Sequence, residues 1–458
     1  MSLQNSAGGF TALGVPAGLV AALAAQGIDA PFPIQTATLP DSLAGRDVLG
    51  RGRTGSGKTL AFSLPLVTRL IGGRRSPRQP RALVLVPTRE LANQVLAVVA
   101  PLAQAAGLTS TVVFGGVGQN PQVKALAPGV DVLIACPGRL EDLIGQGFCD
   151  LSGVEITVLD EADHMADLGF LPVVRRLLDR TPARGQRMLF SATLDNGVDV
   201  VVKRYLSSPV THSVDPAVAP VSTMTHHVFS VSAADKPAVV RELAAGTGRS
   251  LLFLRTKHTA KKLAKQLTAA GIPAVELHGN LSQGARERNL SAFTEGSTRV
   301  LVATDIAARG IHVDDVALVV HVDPPTEHKA YLHRSGRTAR AGAGGTVVTL
   351  ALPEQAGEVR ALAKQAGIRP ATVAVRPGSD RIAELAGPAA PYVEPAPVVE
   401  EPVRARVARG QRQGQGSAPI KQGGSASRKM SGRSAGPART RAELAARAGQ
   451  PTPARRSR

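Results

Sequence analysis

The stretch Val158-Leu159-Asp160-Glu161-Ala162-Asp163 is an apolar run that ends in neighbouring acids. It follows the glycine-rich stretch Gly52-Arg53-Thr54-Gly55-Ser56-Gly57-Lys58-Thr59 by about a hundred residues. The glycine-rich stretch fits the phosphate-loop pattern, in which backbone N–H groups wrap phosphates at the start of a helix. The run from Ile156 to Leu159 is typical of a buried parallel strand, which presents ligand groups at its carboxyl end. The two stretches together predict an α/β fold with a nucleotide site at the strand ends.

The side chains of these stretches have predicted roles. Lys58 is expected to reach the terminal phosphates of ATP and Thr59 to ligate Mg²⁺. A carboxylate at a strand end, here Asp160, can hold Mg²⁺ partly through water, while Glu161 orients and deprotonates the attacking water. The other phosphate-loop residues are expected to wrap the phosphates: Arg53, Thr54, Gly55, Ser56 and Gly57. ATP and Mg²⁺ are therefore the predicted ligands.

Composition limits the class of protein. A chain of 458 residues with 43% hydrophobic residues predicts two or three domains with real cores. The two cysteines, Cys136 and Cys149, lack CxxC spacing, which favours a reducing compartment, and we expect the cytoplasm. Residues 14–28 have the helical spacing of Leu19 and Leu23 with no preceding basic residue, so we expect an amphipathic helix and no membrane segment.

The net charge of +19 is concentrated at the C-terminal end. From Pro402 onward, fourteen basic residues stand against one acid, Glu443, a net charge of +13. The same stretch is rich in Gly, Ser, Pro and Gln and has no aromatic residue after Tyr392, a composition that predicts disorder. A basic disordered arm binds polyanions with little sequence choice and strong salt dependence, although a tail that only aids solubility is the plainer alternative.

β-Branched runs alternate with helical stretches, a pattern typical of parallel α/β architecture. We expect two tandem parallel-sheet domains at 1–212 and 225–375, a linker at 213–224 and a disordered basic tail at 376–458. The expected strands of the first domain are 82–86, 111–114, 132–135, 156–159 and 188–190. Those of the second are 251–254, 274–277, 300–302, 317–322 and 346–350.

The two halves look like repeats of one plan. The stretch 85–90 parallels 253–257, and 114–116 parallels 277–279. Only the first half has a phosphate loop, so the second is expected to contribute positive charge from across the cleft. Arg337 and Arg340 fit that need if they lie on a helical start, although an exposed charged turn or a phosphate-backbone contact fits the residues equally well.

From residue 10 to about 350 the chain resembles the DEAD-box ATP-dependent RNA helicases, which have two RecA-like domains. Phe10, Gly27 and the stretch 33–35 resemble the adenine-reading segment, in which the Gln35 amide would pair with a donor and an acceptor of adenine. The resemblance implies that Ser191, Thr193, Asp163 and His333 couple hydrolysis to strand separation. It also implies that Asp305 contacts ATP and that Arg337 and Arg340 are arginine fingers.

The same resemblance implies a path for RNA across both domains. Glycines allow backbone N–H groups to approach phosphates, and arginines give charge-assisted contacts. Contacts to phosphate and the 2′-hydroxyl distinguish RNA from DNA without reading bases. The residues implied are Thr88, Arg89, Gly116, Gly138, Arg139, Thr256, Gly279, Arg286 and Thr304.

Three residues depart from the family pattern. Cys136 stands where a Thr or Ser is usual before Pro-Gly-Arg, so a weak thiol replaces one hydroxyl. His312 replaces the usual Asp after Arg-Gly-Ile, either altering coupling between the halves or being a tolerated loop change. Arg53 replaces a more frequent Gln inside the phosphate loop.

These observations predict a non-processive RNA helicase that closes two domains around ATP, Mg²⁺ and single-stranded RNA. The alternative is an ATP-gated RNA clamp or annealing factor with little net unwinding. The tail is expected to add non-specific RNA binding, and no membrane partner is expected.

Overall fold

The computed structural model describes residues 9–52, 55–191, 193–194, 197–214, 224–308, 316–338 and 344–395. The strands of the first domain are β1 (Val48–Arg51), β2 (Ala82–Leu85), β3 (Ser110–Val113), β4 (Val132–Ala135), β5 (Ile156–Asp160), β6 (Gln186–Ser191) and β7 (Val210–Ser213). Its helices are α1 (Ala17–Ala24), α2 (Pro33–Leu43), α3 (Lys58–Leu70), α4 (Arg89–Ala105), α5 (Asn120–Leu126), α6 (Pro137–Gly145), α7 (Ala162–Asp167), α8 (Leu171–Leu178) and α9 (Val198–Tyr205).

The second domain repeats this alternation. Its strands are β8 (Met224–Ser230), β9 (Ser250–Leu254), β10 (Ala274–Leu277), β11 (Val300–Thr304), β12 (Leu318–His321), β13 (Gly345–Ala351) and β14 (Ala371–Ala374). Its helices are α10 (Lys236–Ala244), α11 (Lys257–Ala269), α12 (Gln283–Thr294), α13 (Asp305–Ala308), α14 (His328–Ser335), α15 (Ala356–Gln365) and α16 (Asp380–Ala386).

Both domains are parallel sheets covered by helices on both faces. Along β2, Ala82 and Val84 belong to one core layer, and Leu83 and Leu85 belong to the other. Every residue of β2 and of β4 is buried, which explains why these strands are continuously apolar.

The two sheets have the same strand order. The first runs β3-β4-β2-β5-β6-β1-β7 and the second runs β10-β11-β9-β12-β13-β8-β14. Subtracting seven from each number of the second sheet gives the order of the first, so the predicted repeat of one plan is confirmed. The predicted fold class of two tandem parallel-sheet domains is confirmed as well.

The expected domain boundaries differ from the structure. The cut at 212 falls inside β7, which pairs in parallel with β1, and the linker expected to run to 224 overlaps the start of β8. Disorder was expected from 376, but residues 376–395 include α16 and a segment that bonds to the second domain. Helix α16 packs on α10 through Ile382, which is 1% exposed, so these residues complete a core rather than begin a tail. Residues 215–223 and 396–458 lie outside the described part of the chain.

The apolar segment near the N-terminus forms α1, with Leu19 and Leu23 buried as the helical spacing predicts. Both cysteines are free and buried. Within the ranges that the structure describes, none of the helices has the length and apolar character needed to span a bilayer.

Candidate functional site

The carboxyl ends of the first sheet bring the sequence motifs to one edge. The phosphate loop follows β1, Thr88 follows β2, and Asp160 and Glu161 lie at the end of β5. Parallel strands end at the same edge of a sheet, which is where open α/β sheets bind ligands. The second sheet presents Thr256 after β9, Gly279 after β10 and Thr304 at the end of β11 in the same way.

The phosphate loop turns into α3 at Gly57, which has a left-handed φ of 88°. A Cβ at this position would lie 2.5 Å from Gln35 Nε2 and 2.5 Å from Phe32 Cδ2, so only glycine fits. Lys58 begins α3 and is buried. Thr59 follows it on the first turn, and the start of a helix favours anions such as phosphate. Arg53 and Thr54 lie outside the described residues.

In the adenine-reading segment, Gln35 and Phe10 have surroundings that the sequence did not predict. The Oε1 of Gln35 accepts the Phe32 N–H at 2.9 Å, and its Nε2 donates to the Gly57 carbonyl at 2.9 Å. The amide therefore fastens α2 to the phosphate loop and has one N–H and one lone pair left for a base. Phe10 is 2% exposed within the core of the first domain, so it supports the fold and offers no stacking face, contrary to its assignment as a cofactor-binding residue. Phe32, which the sequence analysis did not select, is 54% exposed beside Gly57.

The two acids of the β5 end have opposite electrostatic environments. Burial raises the pKa of Asp160 to about 7, against the opposing charge of Lys58. Burial also raises the pKa of Glu161, but the interaction with His164 and the positive charges of Lys58 and Arg337 outweigh it, so the net shift is downward. Glu161 has a left-handed φ of 51°, which is strained for a residue with a side chain. Glu161 is thus held ionised and aimed by a strained backbone.

The donor set fits Mg²⁺. Asp160 is 3% exposed, and its raised pKa means that the ionised carboxylate is short of positive charge in this buried position. Mg²⁺ is usually held by one or two carboxylates together with phosphate oxygens and water. Asp160 and the hydroxyl of Thr59 would therefore hold the ion between the β5 end and the phosphate loop.

The residues assigned to coupling in the first domain form one hydrogen-bonded cluster. Asp163 Oδ2 accepts the backbone N–H of Thr193 at 3.0 Å and its hydroxyl at 3.2 Å. The N–H of Asp163 donates to Ser191 Oγ at 3.2 Å, and that hydroxyl donates to the Thr193 carbonyl at 2.7 Å. The cluster ties the β6 end to α7, directly behind Glu161.

The arginine motif, residues 333–340, lies at a helix end rather than at a helical start. Helix α14 ends at Ser335, so Arg337 lies in the turn that follows it, because Gly336 does not continue the helix. Arg337 is buried, and its charge lowers the pKa of Glu161, which lies in the other domain. His333 and Arg337 line a small cavity with Asp305. Arg340 lies outside the described residues.

Asp305, whose contact with ATP stays a prediction, pairs with Arg334. Its Oδ2 accepts from Arg334 Nη2 at 2.7 Å, and its Oδ1 accepts from Arg334 Nε. Arg334 is 3% exposed, stacks over Phe253 at 5.1 Å and donates to the Asp323 carbonyl at 2.8 Å. A bidentate pair uses both carboxylate oxygens, so Asp305 orients the arginine motif. The sequence analysis missed Arg334, although it lies in the same motif as Arg337.

Two threonines assigned to RNA are equivalent helix caps in the repeated domains. The Thr88 hydroxyl accepts the Leu91 N–H at 3.2 Å at the start of α4, and the Thr256 hydroxyl accepts the Thr259 N–H at 3.2 Å at the start of α11. A capping hydroxyl that accepts an N–H still carries a proton, which suits a phosphate oxygen. The Thr256 hydroxyl also lies 2.9 Å from the Thr259 hydroxyl, where either oxygen can be the donor.

Arg89 and Arg286 bond across the two domains. Arg286 Nε donates to Glu90 Oε1 at 2.7 Å, and Arg89 Nη1 donates to Gln283 Oε1 at 3.1 Å. Glu90 is 8% exposed, so its pairing with Arg286 lies largely out of solvent. Arg286 therefore joins the domains through Glu90, and its contact with RNA stays a prediction.

The remaining RNA candidates line the same edge. Arg139 donates to the Val117 carbonyl at 3.3 Å and thereby holds the loop that contains Gly116. A Cβ at Gly116 would collide with the Arg89 guanidinium, whereas Cβ atoms at Gly138 and Gly279 would meet open space. Burial raises the pKa of the Cys136 thiol to about 12, so this residue is a neutral group beside Gly138 and Arg139. His312 lies outside the described residues.

Comparisons with known proteins agree with this geometry. The family model of the DEAD/DEAH box helicase matches residues 32–201, and that of the helicase conserved C-terminal domain matches residues 235–342. ATP-dependent RNA helicase RhlB of Pasteurella multocida (strain Pm70) is 41% identical over 344 residues, which are 74% of this chain and 81% of that protein. The chain belongs to the DEAD-box family of ATP-dependent RNA helicases.

Other DEAD-box proteins are similar over both domains. DEAD-box ATP-dependent RNA helicase 3A, chloroplastic, of Zea mays is 41% identical over 367 residues, which are 78% of this chain but 49% of that protein. The chain thus spans about half the length of this curated relative. The structure titled S. cerevisiae Dbp5 bound to RNA and ADP BeF3 has a TM-score of 0.72 and 30% identity, and the match covers 83% of this chain and 99% of that one.

Proposed function

We propose that this DEAD-box chain is an ATP-dependent RNA helicase that couples ATP hydrolysis to local, non-processive unwinding or remodelling of RNA duplexes. The observation that carries the proposal is that side chains of the two domains meet: Arg286 bonds to Glu90 and Arg89 bonds to Gln283, and the charge of Arg337 in the second domain acts on Glu161 in the first. An ATP site that draws charge from both domains is complete only when they are closed. Closure also joins the two sets of RNA candidates through Arg89 and Arg286.

The catalytic roles follow from the positions of the side chains. Lys58 binds the terminal phosphates at the start of α3, and Glu161 orients the water and accepts its proton. Arg337 stabilises the charge that develops on the transferred phosphoryl group. Mg²⁺, when bound, neutralises phosphate charge. The Asp163 cluster connects Glu161 to Ser191 and Thr193, so a change at the phosphate can move the β6 end.

RNA is proposed as the polyanion because Dbp5, a structural neighbour, is bound to RNA and the curated relatives are named RNA helicases. Thr88 and Thr256 would donate to phosphates of a bound strand, with Gly138, Gly279 and Thr304 allowing close approach. The basic stretch beyond residue 396 would add affinity without sequence choice. We place the protein in the cytoplasm, a reducing compartment that suits two buried free thiols.

The test is ATP hydrolysis by the full chain with single-stranded RNA, with single-stranded DNA and with neither, while separation of a short RNA duplex is recorded in the same reactions. Glu161→Gln should lower kcat by about 10²- to 10⁴-fold, since it removes the base, and should leave ATP binding intact. Glu358→Gln, an exposed change on α15, is the matched control and should leave both activities unchanged.

RNA-stimulated hydrolysis with duplex separation, lost in Glu161→Gln, would support the helicase. Stimulation without separation would favour an ATP-gated clamp or annealing factor. Stimulation by DNA alone would contradict RNA as the substrate.

A further inference from the structure

Helix α11 carries an uncompensated basic face. Its 13 residues, Lys-His-Thr-Ala-Lys-Lys-Leu-Ala-Lys-Gln-Leu-Thr-Ala, include no acid. Lys257, Lys261 and Lys265 are exposed and lie one turn apart on one side, and Lys262 is exposed beside them. The opposite side packs into the core through Ala260, Ala264 and Leu267. Surface helices usually alternate charges of both signs, so this face is suited to a polyanion.

The helix joins the two edges of the second sheet. It begins after Thr256, at the carboxyl edge where the RNA path is proposed, and its 13 residues span about 20 Å. It ends at Ala269, and Gly271 leads into β10 at the opposite edge. A strand that leaves the central path beside Thr256 can therefore follow the lysines along α11.

A segment after α16 lies at the far end of α11. We call residues 388–393 the strap: Ala390 N–H donates to the Ala245 carbonyl at 2.8 Å, and Val393 N–H donates to the Gly271 carbonyl at 3.0 Å. The Tyr392 ring lies on Gly271, which has a φ of 77° and where a Cβ would overlap the ring. Tyr392 is nevertheless 68% exposed, so one part of the ring is seated and the rest is available for stacking.

A cavity of about 240 Å³ opens beside this ring. The strap forms one wall with Tyr392, and the charged side chains that line the cavity are Arg241, Glu242 and Arg299. The Nε atom of Arg299 is buried and has no hydrogen-bond partner among the described residues. Glu242 is already bound, because both of its oxygens accept the Gly378 N–H at 3.0 Å. The cavity thus offers an aromatic ring and guanidinium donors.

We infer that the lysine face of α11 and the strap cavity form a second RNA-binding surface, which holds single-stranded RNA running on from the central path, with a base stacked on Tyr392. The inference rests on the proposed function, because it extends the path that begins at Thr256. Lysines supply contacts to successive phosphates, and an aromatic ring stacks any base. Arg241 and Arg299 supply positive charge where the phosphate beside the stacked base would lie. Glu394 is the one acid of residues 388–395, and the proposed RNA-binding surface ends before it because a carboxylate repels phosphate.

The experiment measures binding of the full chain to a short single-stranded RNA and to the same RNA lengthened at either end by enough to run the length of α11. Lys261, Lys262 and Lys265 are changed together to Gln; Lys257 is kept because its Nζ donates to Asn280 at 2.9 Å beside Thr256. The matched control changes three exposed basic residues on the other face of the sheet to Gln: Arg360, Lys364 and Arg369. Tyr392→Ala is paired with Tyr392→Phe, which keeps the ring.

The unmodified chain should bind the RNA lengthened at one end more tightly than the short RNA. The α11 variant should lose this gain and reduce the slope of log K against log salt by about 2, at about 0.7 for each lost phosphate contact. Tyr392→Ala should weaken binding of the long RNA by about fivefold or more, and Tyr392→Phe should restore it. Binding of the short RNA should not change.

Equal losses of RNA affinity in the α11 variant and in the matched control would overturn the inference, since the effect would then be one of net charge. Equal losses for short and long RNA would overturn it as well, since the effect would then belong to the central path. An unmodified chain that gains nothing from longer RNA, while short RNA still stimulates ATP hydrolysis, would also overturn it and leave the proposed function standing. Failure of every RNA to stimulate hydrolysis would instead refute the proposed function.

Discussion

Single residues at the strand ends decide whether ATP can be positioned. Gly57 brings the phosphate loop against Gln35 and Phe32, and Glu161 has a left-handed backbone and a pKa that the charge of Lys58 lowers. Strain of this kind costs about 1–3 kcal/mol and persists only where the surrounding contacts enforce it. The Asp163 cluster supplies such contacts, because it ties Asp163, two residues after Glu161, to Ser191 and Thr193.

Gly57→Ala should weaken ATP binding by at least about tenfold. An alanine here would have to adopt the left-handed backbone of Gly57. Its Cβ would also displace Gln35 or Phe32, the side chains that lie against the phosphate loop. ATP affinity of the purified variant is the measurement. Gly72→Ala is the matched control, since Gly72 also has a positive φ of 80° but has open space around its Cβ position. If both variants lose ATP affinity equally, backbone strain alone explains the effect.

Elements of the second domain are positioned by a buried polar cluster under α14. His226 Nδ1 lies 2.8 Å from the Tyr331 hydroxyl, and His321 Nδ1 lies 3.1 Å from the Thr349 hydroxyl. The His321 and Tyr331 rings meet edge to face at 4.8 Å. The cluster joins strands β8, β12 and β13 to the helix that precedes Arg337, so its protonation state bears on the position of the arginine motif.

Acidification should destabilise this domain through His226. Burial lowers its pKa to about 4 from 6.5, and the neighbouring His227 adds to the shift. Because the His226 pKa is 6.5 in the unfolded chain and about 4 in the folded one, this stability is complete above pH 6.5 and is lost progressively as the pH falls from 6.5 to 4. About 2 kcal/mol of the free energy of unfolding should be lost between about pH 7.5 and 5. Urea unfolding at the two pH values measures the loss. His226→Gln should make it smaller, whereas His258→Gln, an exposed change on α11, should not. An unchanged loss in His226→Gln would contradict the assignment.

At the scale of the whole molecule, two copies of one sheet plan contribute to the proposed ATP site. Equivalent strands carry different tasks: β1 leads into the phosphate loop, whereas its counterpart β8 does not. Arg286 with Glu90, and Arg89 with Gln283, join the loops that follow equivalent strands of the two domains. Because each bond joins one residue of each domain, closure of the two domains depends on residues from both halves of the chain.

Glu90→Ala and Arg286→Ala should each lower RNA-stimulated kcat/KM by about tenfold, because each leaves its partner charge largely buried without a counter-ion. The double variant should be no worse than either single one. The control pair is Glu141 with Arg176, which lies within the first domain at 2.6 Å but is exposed, so Arg176→Ala should have little effect. Additive losses in the double variant would mean that Glu90 and Arg286 act separately.

Removal of residues 396–458 should weaken RNA binding at low salt far more than at high salt. From residue 402 this stretch has a net charge of +13, and each phosphate contact to a single strand contributes about 0.7 to the salt slope. Affinity is measured across a salt series for the full and shortened chains. A full-length variant with the fourteen basic residues changed to Gln should match the shortened chain. Equal affinity with and without the stretch would defeat the idea.

The sequence by itself determined the fold class, the repeat, and the edge at which the motifs meet. Apolar runs and glycine spacing are local patterns, and parallel strands place their ends together whatever the loops do. Positions such as Lys58, Asp160 and Thr256 therefore followed from the order of motifs along the chain.

Only the tertiary structure decided which side chains pair with one another. The charges of Arg286 and Asp305 can be read from the sequence, but their partners cannot. Arg286 pairs with Glu90, and Asp305 pairs with Arg334, only after folding brings distant segments together. Burial of Phe10, the end of α14 before Arg337 and the position of the strap also depend on packing between segments far apart in the chain. Periodicity is a local property, whereas pairing and burial depend on the neighbours that the folded chain brings into contact.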